Sequence, residues 1–352
     1  MPAISSPAII LLTGVNGYIG AHIAQSLLTH GHTVRGVVRS QSKGDPLKEL
    51  FKEYGDKFQL AVVPDVTALD AYDDAVKGVT GVVHASAPLP QQSITDVDDA
   101  LRPAVDGTIN LLNSVERYGT EVKRFILTSS AVTLLEPKEG EYTYTEADWF
   151  DTALKIVKAQ GAKAHPGLIY TASKILQERA AFDFVEKKKD RLGFDLVALL
   201  PVYVLGPPVD AFVDTASLKS GSLGLMYNAF NDPDGKDWPD LISRVDVLVD
   251  VRDVAELHCR ALVTEKVAGE RFLLAGDSFH WQDAWDALNV EPKLPGAPIV
   301  TPGIGEQAKR LVQYSNKKSK ETFSFEYRNN EEIIRDSWAE YLKRGWIEGA
   351  KA

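Results

Sequence analysis

Two side chains in the middle of the chain carry the first chemical signal. Tyr170 and Lys174 stand four residues apart in Tyr170-Thr171-Ala172-Ser173-Lys174, a stretch that reads as helix. On a helix that spacing puts both on one face, about a turn apart. A free phenol titrates near 10 and is a poor acid and a worse base at neutral pH. A neighbouring cation favours the phenolate and lowers that value. Bringing it to about 7 takes roughly 4 kcal/mol of differential stabilisation. A desolvated ammonium, helped by a cationic cofactor ring, can supply that. By itself the pair also reads as an ordinary surface pair on a helix, so the other segments must decide.

The second signal is a glycine turn. Thr13-Gly14-Val15-Asn16-Gly17-Tyr18-Ile19-Gly20 follows the apolar run Ala8 to Leu12. A helical pattern then runs from Tyr18 to Thr29, with Ile19, Ile23, Leu27 and Leu28 on one face and Gly31 as C-cap, and His32 to Val38 reads as a second strand. Strand, glycine turn, helix and strand form the context in which such glycines bind a dinucleotide. Gly14 permits the tight turn, Gly17 lets backbone approach a pyrophosphate, and Gly20 allows close helix–strand packing. The helix N-terminus offers N–H groups and the positive end of its dipole. The spacing is G-x-x-G-x-x-G rather than G-x-G-x-x-G. An NAD site places Asp or Glu about 20 residues beyond the glycines. Here that position is Arg39, followed by Ser40, Gln41, Ser42 and Lys43, with no carboxylate before Asp45. Arg39 and Lys43 suit a 2′-phosphate through charge-assisted hydrogen bonds, which favours NADP(H) over NAD(H). A solvated basic turn is the plain alternative.

Composition narrows the class. The 352 residues suffice for one large or two modest domains, and the apolar fraction for a core without staples. A net charge of -10 argues against a nucleic-acid or anionic-membrane surface. The one cysteine, Cys259, allows no intramolecular disulfide, and the seven histidines show no metal-binding spacing. Residues Met1 to Pro7 have no basic leader, and Ala8 to Leu12 is too short to span a membrane. A soluble, cytoplasmic protein without a metal is expected.

The elements that must position these residues alternate along the chain. Lys48 to Tyr54 reads as a short helix and Phe58 to Val63 as a third strand. Asp65, at its carboxyl end beside Val66, is equally an adenine contact and a turn residue. Leu69 to Lys77 reads as a helix, and Gly81 to Pro88 as a fourth strand whose small-residue end, including Ala87, leaves room for a cofactor. His84 reads as a packed strand residue. Asp98 to Tyr118 reads as a long helix, with Asn110 and Asn113 as surface or packing residues. Lys123 to Ser130 is a fifth strand, placing Thr128, Ser129 and Ser130 at the ligand end of a parallel sheet. Residues 133–167 are too long for a plain connection and read as a lid or a substrate-side insertion with a short helix around Trp149 to Gln160. The Tyr170 helix runs to about Lys189, and Phe194 to Leu200 is a sixth strand ending in Pro201-Val202-Tyr203-Val204-Leu205-Gly206-Pro207. A helical lobe is expected over 209–244, a helix up to Val263, a strand at Arg271 to Ala275, and a closing helix over Asn330 to Arg344 with Ile333, Ile334, Trp338 and Leu342 inward. The expected fold is α/β: a Rossmann doubly wound parallel sheet with a smaller, mostly helical C-terminal lobe. Residues 1–207, joined by 245–275, form the NADP-binding domain; 208–244 and 276–352 form the substrate lobe.

Taken together and in order, the glycine turn, the Ser130 strand end, Tyr170-x-x-x-Lys174 and Pro201 to Pro207 resemble an extended short-chain dehydrogenase/reductase. The likeness is greatest to the dihydroflavonol-reductase-like branch and its fungal NADPH-dependent methylglyoxal and aldehyde reductases. Val38-Arg39-Ser40-Gln41-Ser42-Lys43, Leu127-Thr128-Ser129-Ser130 and Asp250-Val251-Arg252-Asp253-Val254-Ala255 are especially similar. The resemblance implies Ser130, Tyr170 and Lys174 as catalytic residues, with Ser130 preferred to Ser129 because it precedes the small Ala131. It implies NADPH as cofactor, Arg39 and Lys43 on its 2′-phosphate, Asp65 and Val66 near adenine, and the Pro201 to Gly206 backbone around the nicotinamide. Gly14, Asn16, Gly17, Tyr18, Ile19, Gly20, Ala87, Thr128, Tyr170, Lys174, Pro201, Tyr203, Val204 and Ser217 complete the implied cofactor contacts. Segments 131–167 and 208–245 match weakly, so the substrate is the least defined part.

The implied reaction reduces an aldehyde or ketone to an alcohol: the carbonyl oxygen accepts hydrogen bonds from Ser130 and Tyr170, and Tyr170 protonates the forming alkoxide. Lys174 is implied to lower the Tyr170 pKa and to bind the nicotinamide ribose. The implied partners are a small carbonyl substrate and, at most, a second copy of the chain, monomer or homodimer. Two alternatives share the fold: an NAD-dependent nucleotide-sugar epimerase or dehydratase, which normally has an acid where Arg39 stands, and a non-catalytic NADP-binding sensor, which usually lacks the Tyr or the Lys.

Overall fold

The structure is a computed structural model that describes residues 4–86, 95–209, 218, 221–233, 236, 245–298 and 312–347. Its strands are β1 (Ile9–Thr13), β2 (Thr33–Val38), β3 (Phe58–Val62), β4 (Gly81–His84), β5 (Arg124–Thr128), β6 (Tyr142–Tyr144), β7 (Asp195–Pro201), β8 (Tyr203–Leu205), β9 (Val245–Asp250), β10 (Arg271–Leu274), β11 (Ser278–His280) and β12 (Val312–Tyr314). Its helices are α1 (Tyr18–Thr29), α2 (Gln41–Leu50), α3 (Asp98–Tyr118), α4 (Asp151–Gln160), α5 (Pro166–Lys188), α6 (Gly221–Asn231), α7 (Val251–Val263), α8 (Trp281–Asn289), α9 (Lys317–Phe323) and α10 (Asn330–Lys343).

Seven strands form one sheet in the order β10-β7-β5-β4-β1-β2-β3, and the pairs from β7 to β3 are parallel. The order reverses between β1 and β4. This is the doubly wound Rossmann arrangement, whose ligands sit outside the carboxyl ends of the strands at that reversal. Strands β4, β5 and β7 are buried along their whole length, as is all of β1 after Ile9. With both faces covered they read as unbroken apolar runs rather than alternating ones. Under one face Leu11, Val37, Val82 and Phe125 pack with Tyr72, Val76 and Val79, with Leu111, Leu112 and Val115 of α3, and with Ala181 of α5. Each such side chain, fully buried, stabilises the fold by about 1.5–3 kcal/mol.

The chain divides into two compact units, 1–137 with 144–201 and 255–273, and 138–143 with 202–254 and 274–352. The division falls inside α7. The second unit holds a small sheet in the order β11-β9-β8, with β8 parallel and β11 antiparallel to β9. Its core is aromatic: Phe230 of α6 lies edge-on to Trp338 and Tyr341 of α10, and Trp281 and Trp285 of α8 pack beside them. Ile333, Ile334 and Trp338 point inward as expected; Tyr341 is fully buried, while Leu342 only packs against the rim. The lobe is therefore not purely helical. Strands of three residues such as β8 are too short to carry a periodic signal.

Two expected helices differ. The one expected over Lys48 to Tyr54 starts earlier, at Gln41, and ends at Leu50, followed by a 3-10 segment Lys52–Lys57. Gly44 and Pro46 read as breakers. In the fold a Cβ on Gly44 would stand 2.4 Å from Leu60 Cδ1, so the glycine lets the helix lie close against that side chain. Residues 69–77 form successive turns rather than a helix. Their carbonyls are claimed from outside: Arg35 Nη1 donates to Ala75 O and Lys77 O at 2.8 and 2.7 Å, and Arg117 Nη2 to Leu69 O at 3.3 Å. Leu69, one of the apolar positions of the pattern, is 75 % exposed.

Candidate active site

The turn after β1 is defined by what it leaves out. Gly14 has φ +71, in the left-handed region, and a Cβ there would stand 3.0 Å from the Ala85 and Ser86 backbone. A Cβ on Gly20 would lie 2.0 Å from Gly14 O, so any other residue pushes α1 off β1. Gly17 closes the turn by donating its N–H to Gly14 O at 2.9 Å and caps α1 in extended conformation. Asn16 is exposed; Tyr18 and Ile19 are partly so, Tyr18 lying edge-on to His22.

Beside this turn lies a cavity of about 370 Å³ lined by Thr13, Gly14, Asn16, Val37, Val38, Arg39, Ser40, Lys43, Val63, Val66, Tyr72 and Ser86. It presents two cationic side chains and no carboxylate. Lys43 is in the first turn of α2 rather than in a free loop, behind Ser40 at the N-cap. The acid that follows, Asp45, is taken by Gln41 at 2.6 Å. Among the described residues Arg39 and Lys43 have no acidic partner. The Tyr72 hydroxyl at the same cavity is buried with no hydrogen-bond partner, and burial pushes its pKa up against the pull of Arg39. A glycine cradle, a helix N-terminus and two unspent cations fit a dinucleotide that carries an extra phosphate. Val66 lines this space. Asp65 does not: its Oδ1 accepts from Thr67 N at 2.8 Å and from Thr67 Oγ1 at 2.6 Å, bonds that hold its pKa down, which is the turn role. Asn110, expected only on the surface or in packing, is buried and donates to Thr67 O at 2.8 Å and Val66 O at 3.4 Å, fixing that loop from α3.

The candidate reacting groups Tyr170 and Lys174 stand on α5. The helix opens with Pro166 at its first turn after His165, whose Nδ1 accepts from Gly167 N at 3.1 Å. It ends on Lys187 and Lys188, which suit the negative end of its dipole. Its inward face is polar, with Ser173, Lys174, Gln177 and Glu178 all buried. Such burial is costly unless every group is paired. Lys174 Nζ donates to Thr128 O at 3.0 Å and to Gln177 Oε1 at 3.1 Å. Desolvation brings its pKa down to about 8, with the Glu178 charge working the other way. Tyr170, one turn earlier, keeps part of its surface open. Burial of the phenol pushes its pKa up, and the Ser130 hydroxyl pulls it down. In the protein itself burial therefore outweighs the pull of Ser130, and the Lys174 ammonium is engaged by Thr128 and Gln177.

Neighbouring serines take opposite directions at the end of β5. Ser129 is buried, with Oγ donating to Glu178 Oε2 at 2.5 Å. Ser130 is partly open, its hydroxyl draws the Tyr170 pKa down, and it accepts from Val132 N at 3.4 Å. Thr128 is buried too: its hydroxyl meets His258 Nε2 at 2.8 Å, leaving its carbonyl for Lys174.

A polar chain joins this face to the glycine turn. Gln177 Nε2 donates to Thr108 Oγ1 at 2.9 Å, and Thr108 donates its own proton to Ala104 O at 2.8 Å. His84 Nε2, 2.9 Å from Thr108 Oγ1, must then be the protonated nitrogen. Its Nδ1 accepts from Thr13 Oγ1 at 2.7 Å, and Thr13 Oγ1 accepts from Ser86 N at 3.2 Å. Desolvation, with the Lys174 charge adding, brings His84 down to about 3, so the ring stays neutral. His84 is the packed residue expected. Thr13, Thr108, Gln177 and Ser86 carried no signal, because a threonine or glutamine inside an element looks the same whether or not it is used.

Pro201 is buried at the end of β7, Val204 is buried within β8, and Tyr203 is 43 % exposed. Ala87 and Ser217 lie outside the described residues. No group of acid, histidine and cysteine side chains able to hold a metal ion occurs among the described residues, and none of their helices is long and apolar enough to cross a membrane.

Comparison with known proteins gives a consistent picture. Residues 10–275 match the model of the NAD dependent epimerase/dehydratase family. The NADPH-dependent methylglyoxal reductase GRE2 of Saccharomyces cerevisiae is 33% identical over 95% of this chain and 98% of its own. The ketoreductase azaE of Aspergillus niger is 31% identical over 95% and 98%. Among solved structures, yeast methylglyoxal/isovaleraldehyde reductase Gre2 complexed with NADPH superposes with a TM-score of 0.81 at 32% identity, over 96% of this chain and 100% of that one.

Proposed function

The chain belongs to the NAD dependent epimerase/dehydratase family, and from that premise we propose that it reduces aldehydes and ketones to alcohols with NADPH. Its full-length relatives are NADPH-dependent and ketone reductases. The observation that carries the reading is a partly open Tyr170, with the Ser130 hydroxyl acting on its phenol, one turn from a buried Lys174. NADPH, when bound, supplies the hydride that reduces the carbonyl carbon.

The chain's own residues do the rest. Gly14, Gly17 and the start of α1 receive the pyrophosphate, and Arg39 and Lys43 hold the 2′-phosphate. Ser130 Oγ and Tyr170 Oη orient the carbonyl oxygen and donate to it as negative charge develops. Tyr170 then gives its proton to the alkoxide as general acid. With its pKa raised by burial, the phenol stays protonated at neutral pH, the form reduction needs. Lys174 places a positive charge beside the phenolate left behind and so favours its formation. A sugar-nucleotide epimerase would hold NAD through an acid at the position of Arg39, and the cavity there has none. On this reading 208–244 and 276–352 form the substrate lobe, and the protein works in the cytoplasm as a monomer or homodimer.

A panel of aldehydes, diketones and β-keto esters, each supplied with NADPH and with NADH, tests the proposal. Stoichiometric consumption of NADPH with alcohol formation is expected. Turnover of no carbonyl, or isomerisation with no net cofactor consumption, would overturn it.

A further inference from the structure

Behind the reacting pair lies a carboxylate that the mechanism above does not use. Glu178 follows Lys174 by one turn of α5 and Tyr170 by two, and its side chain is 0% exposed. Oε2 accepts from Ser129 Oγ at 2.5 Å, and Oε1 from Arg271 Nε at 2.6 Å. Arg271 reaches on from β10. Its Nη2 donates to Thr133 Oγ1 at 3.1 Å, its Nη1 to Asp148 O at 3.0 Å, and its guanidinium lies over the Trp149 ring, 3.8 Å from the centroid. Thr133 Oγ1 in turn donates to Ser130 O at 2.9 Å.

One carboxylate thus reaches Ser130 from two directions. Its Oε2 holds Ser129, the residue before Ser130, and Arg271 with Thr133 holds the Ser130 carbonyl. A buried ion pair is weak as a source of stability, since well-packed apolar residues of similar volume serve as well or better. Its value here lies in where it ends.

We infer that Glu178 is a positioning residue for the reaction, clamping the Ser130 hydroxyl against Tyr170 through Ser129 on one side and Arg271 and Thr133 on the other, while its charge faces the Lys174 ammonium from the next turn. This rests on the reductase reading. The titratable groups around Lys174 are Tyr170 and Glu178 on its own helix, the neutral His84 on β4, and His258 of α7 behind Thr128; Arg271 faces Glu178 from β10. Glu178 is the group that opposes the desolvation of Lys174. Without its charge Lys174 loses its proton at lower pH.

The test uses Glu178→Gln and Ser129→Ala in the full chain, with NADPH affinity by fluorescence titration, melting temperature, and kcat and KM across pH. Glu178→Gln is expected to lower kcat about ten- to a hundredfold, the scale of a misplaced reacting group. It also moves the alkaline limb of kcat/KM to lower pH by roughly one unit. Ser129→Ala keeps the carboxylate, so it lowers kcat about tenfold and leaves that limb in place. NADPH affinity stays within about twofold in both, because neither residue lines the cofactor cavity. A folded Glu178→Gln enzyme whose limb does not move would overturn the inference, whatever its kcat. Should Glu178→Gln not fold, wild-type kcat in Ser129→Ala overturns it. Absence of carbonyl turnover in the unaltered enzyme is a separate result and counts against the reductase reading.

Discussion

Between Thr13 and Gly20 the protein makes the candidate cofactor cradle by omitting side chains; between Thr128 and Glu178 it makes the candidate reacting face by filling its interior with polar ones. The cradle is local. Eight consecutive residues specify it, and its constraint is steric: a Cβ at Gly20 would overlap Gly14 O at 2.0 Å. The reacting face is assembled from distant segments, with Thr128, Thr108, Gln177, Glu178 and Arg271 each completing another's hydrogen bonds. A steric site fails when something is added, and a network fails when one member is taken away. The two regions should therefore respond separately to substitution, except where the Thr13–His84–Thr108–Gln177 chain joins them.

The largest separation is expected from Tyr170→Phe, which removes the acid and leaves the cradle whole. kcat should fall about a thousandfold, in the range for loss of a general acid, while the NADPH dissociation constant stays within about twofold. Wild-type turnover in the variant would remove Tyr170 from the mechanism. Arg39→Asp acts on the other region alone. The ratio of kcat/KM for NADPH to that for NADH should drop about a hundredfold, from the loss of charge-assisted bonds and the gain of repulsion, with kcat at saturating cofactor little changed. An unaltered ratio would mean that the phosphate is read elsewhere. Thr108→Val probes the connection. It leaves the Gln177 amide and the His84 N–H without their acceptor, at about 1–3 kcal/mol for each unpaired group. A modest loss, about tenfold or less, is expected in both NADPH affinity and kcat. A change in only one would show that the two regions are independent despite the chain.

Legibility in the sequence follows the same division. The β1–turn–α1 unit could be read almost to the residue, because a fully buried strand, glycines and an apolar helix stripe are local patterns. The parallel sheet followed from strand–helix alternation, and α10 from its apolar spacing. Residues 69–77 misled because their carbonyls are capped by Arg35 and Arg117, which are distant in sequence. Helix α2 hid behind Gly44 and Pro46, usual breakers that it accommodates while burying only Gly44 and Leu47. At the candidate site, Tyr170, Lys174 and Ser130 stood out by type and spacing. Glu178, Arg271, Gln177 and Thr108 were not, since what distinguishes them is a partner supplied by the fold. The direction of the Tyr170 shift was missed for that reason too: burial is a property of the assembled interior, not of the Tyr-x-x-x-Lys spacing.

The paired serines at the end of β5 have a consequence for how this enzyme tolerates change in length. Their opposite directions come from the alternation of extended backbone, and the phase of that alternation is set by the pairing of Thr128 with Leu199 and by the bond from Ser129 N to Leu199 O. Losing a single residue upstream in the strand would keep both hydroxyls yet carry Ser130 into the inward place beside Glu178. The outward place would then fall to Ala131, which has no hydroxyl to offer a carbonyl. Parity, rather than identity, is what this strand has to preserve.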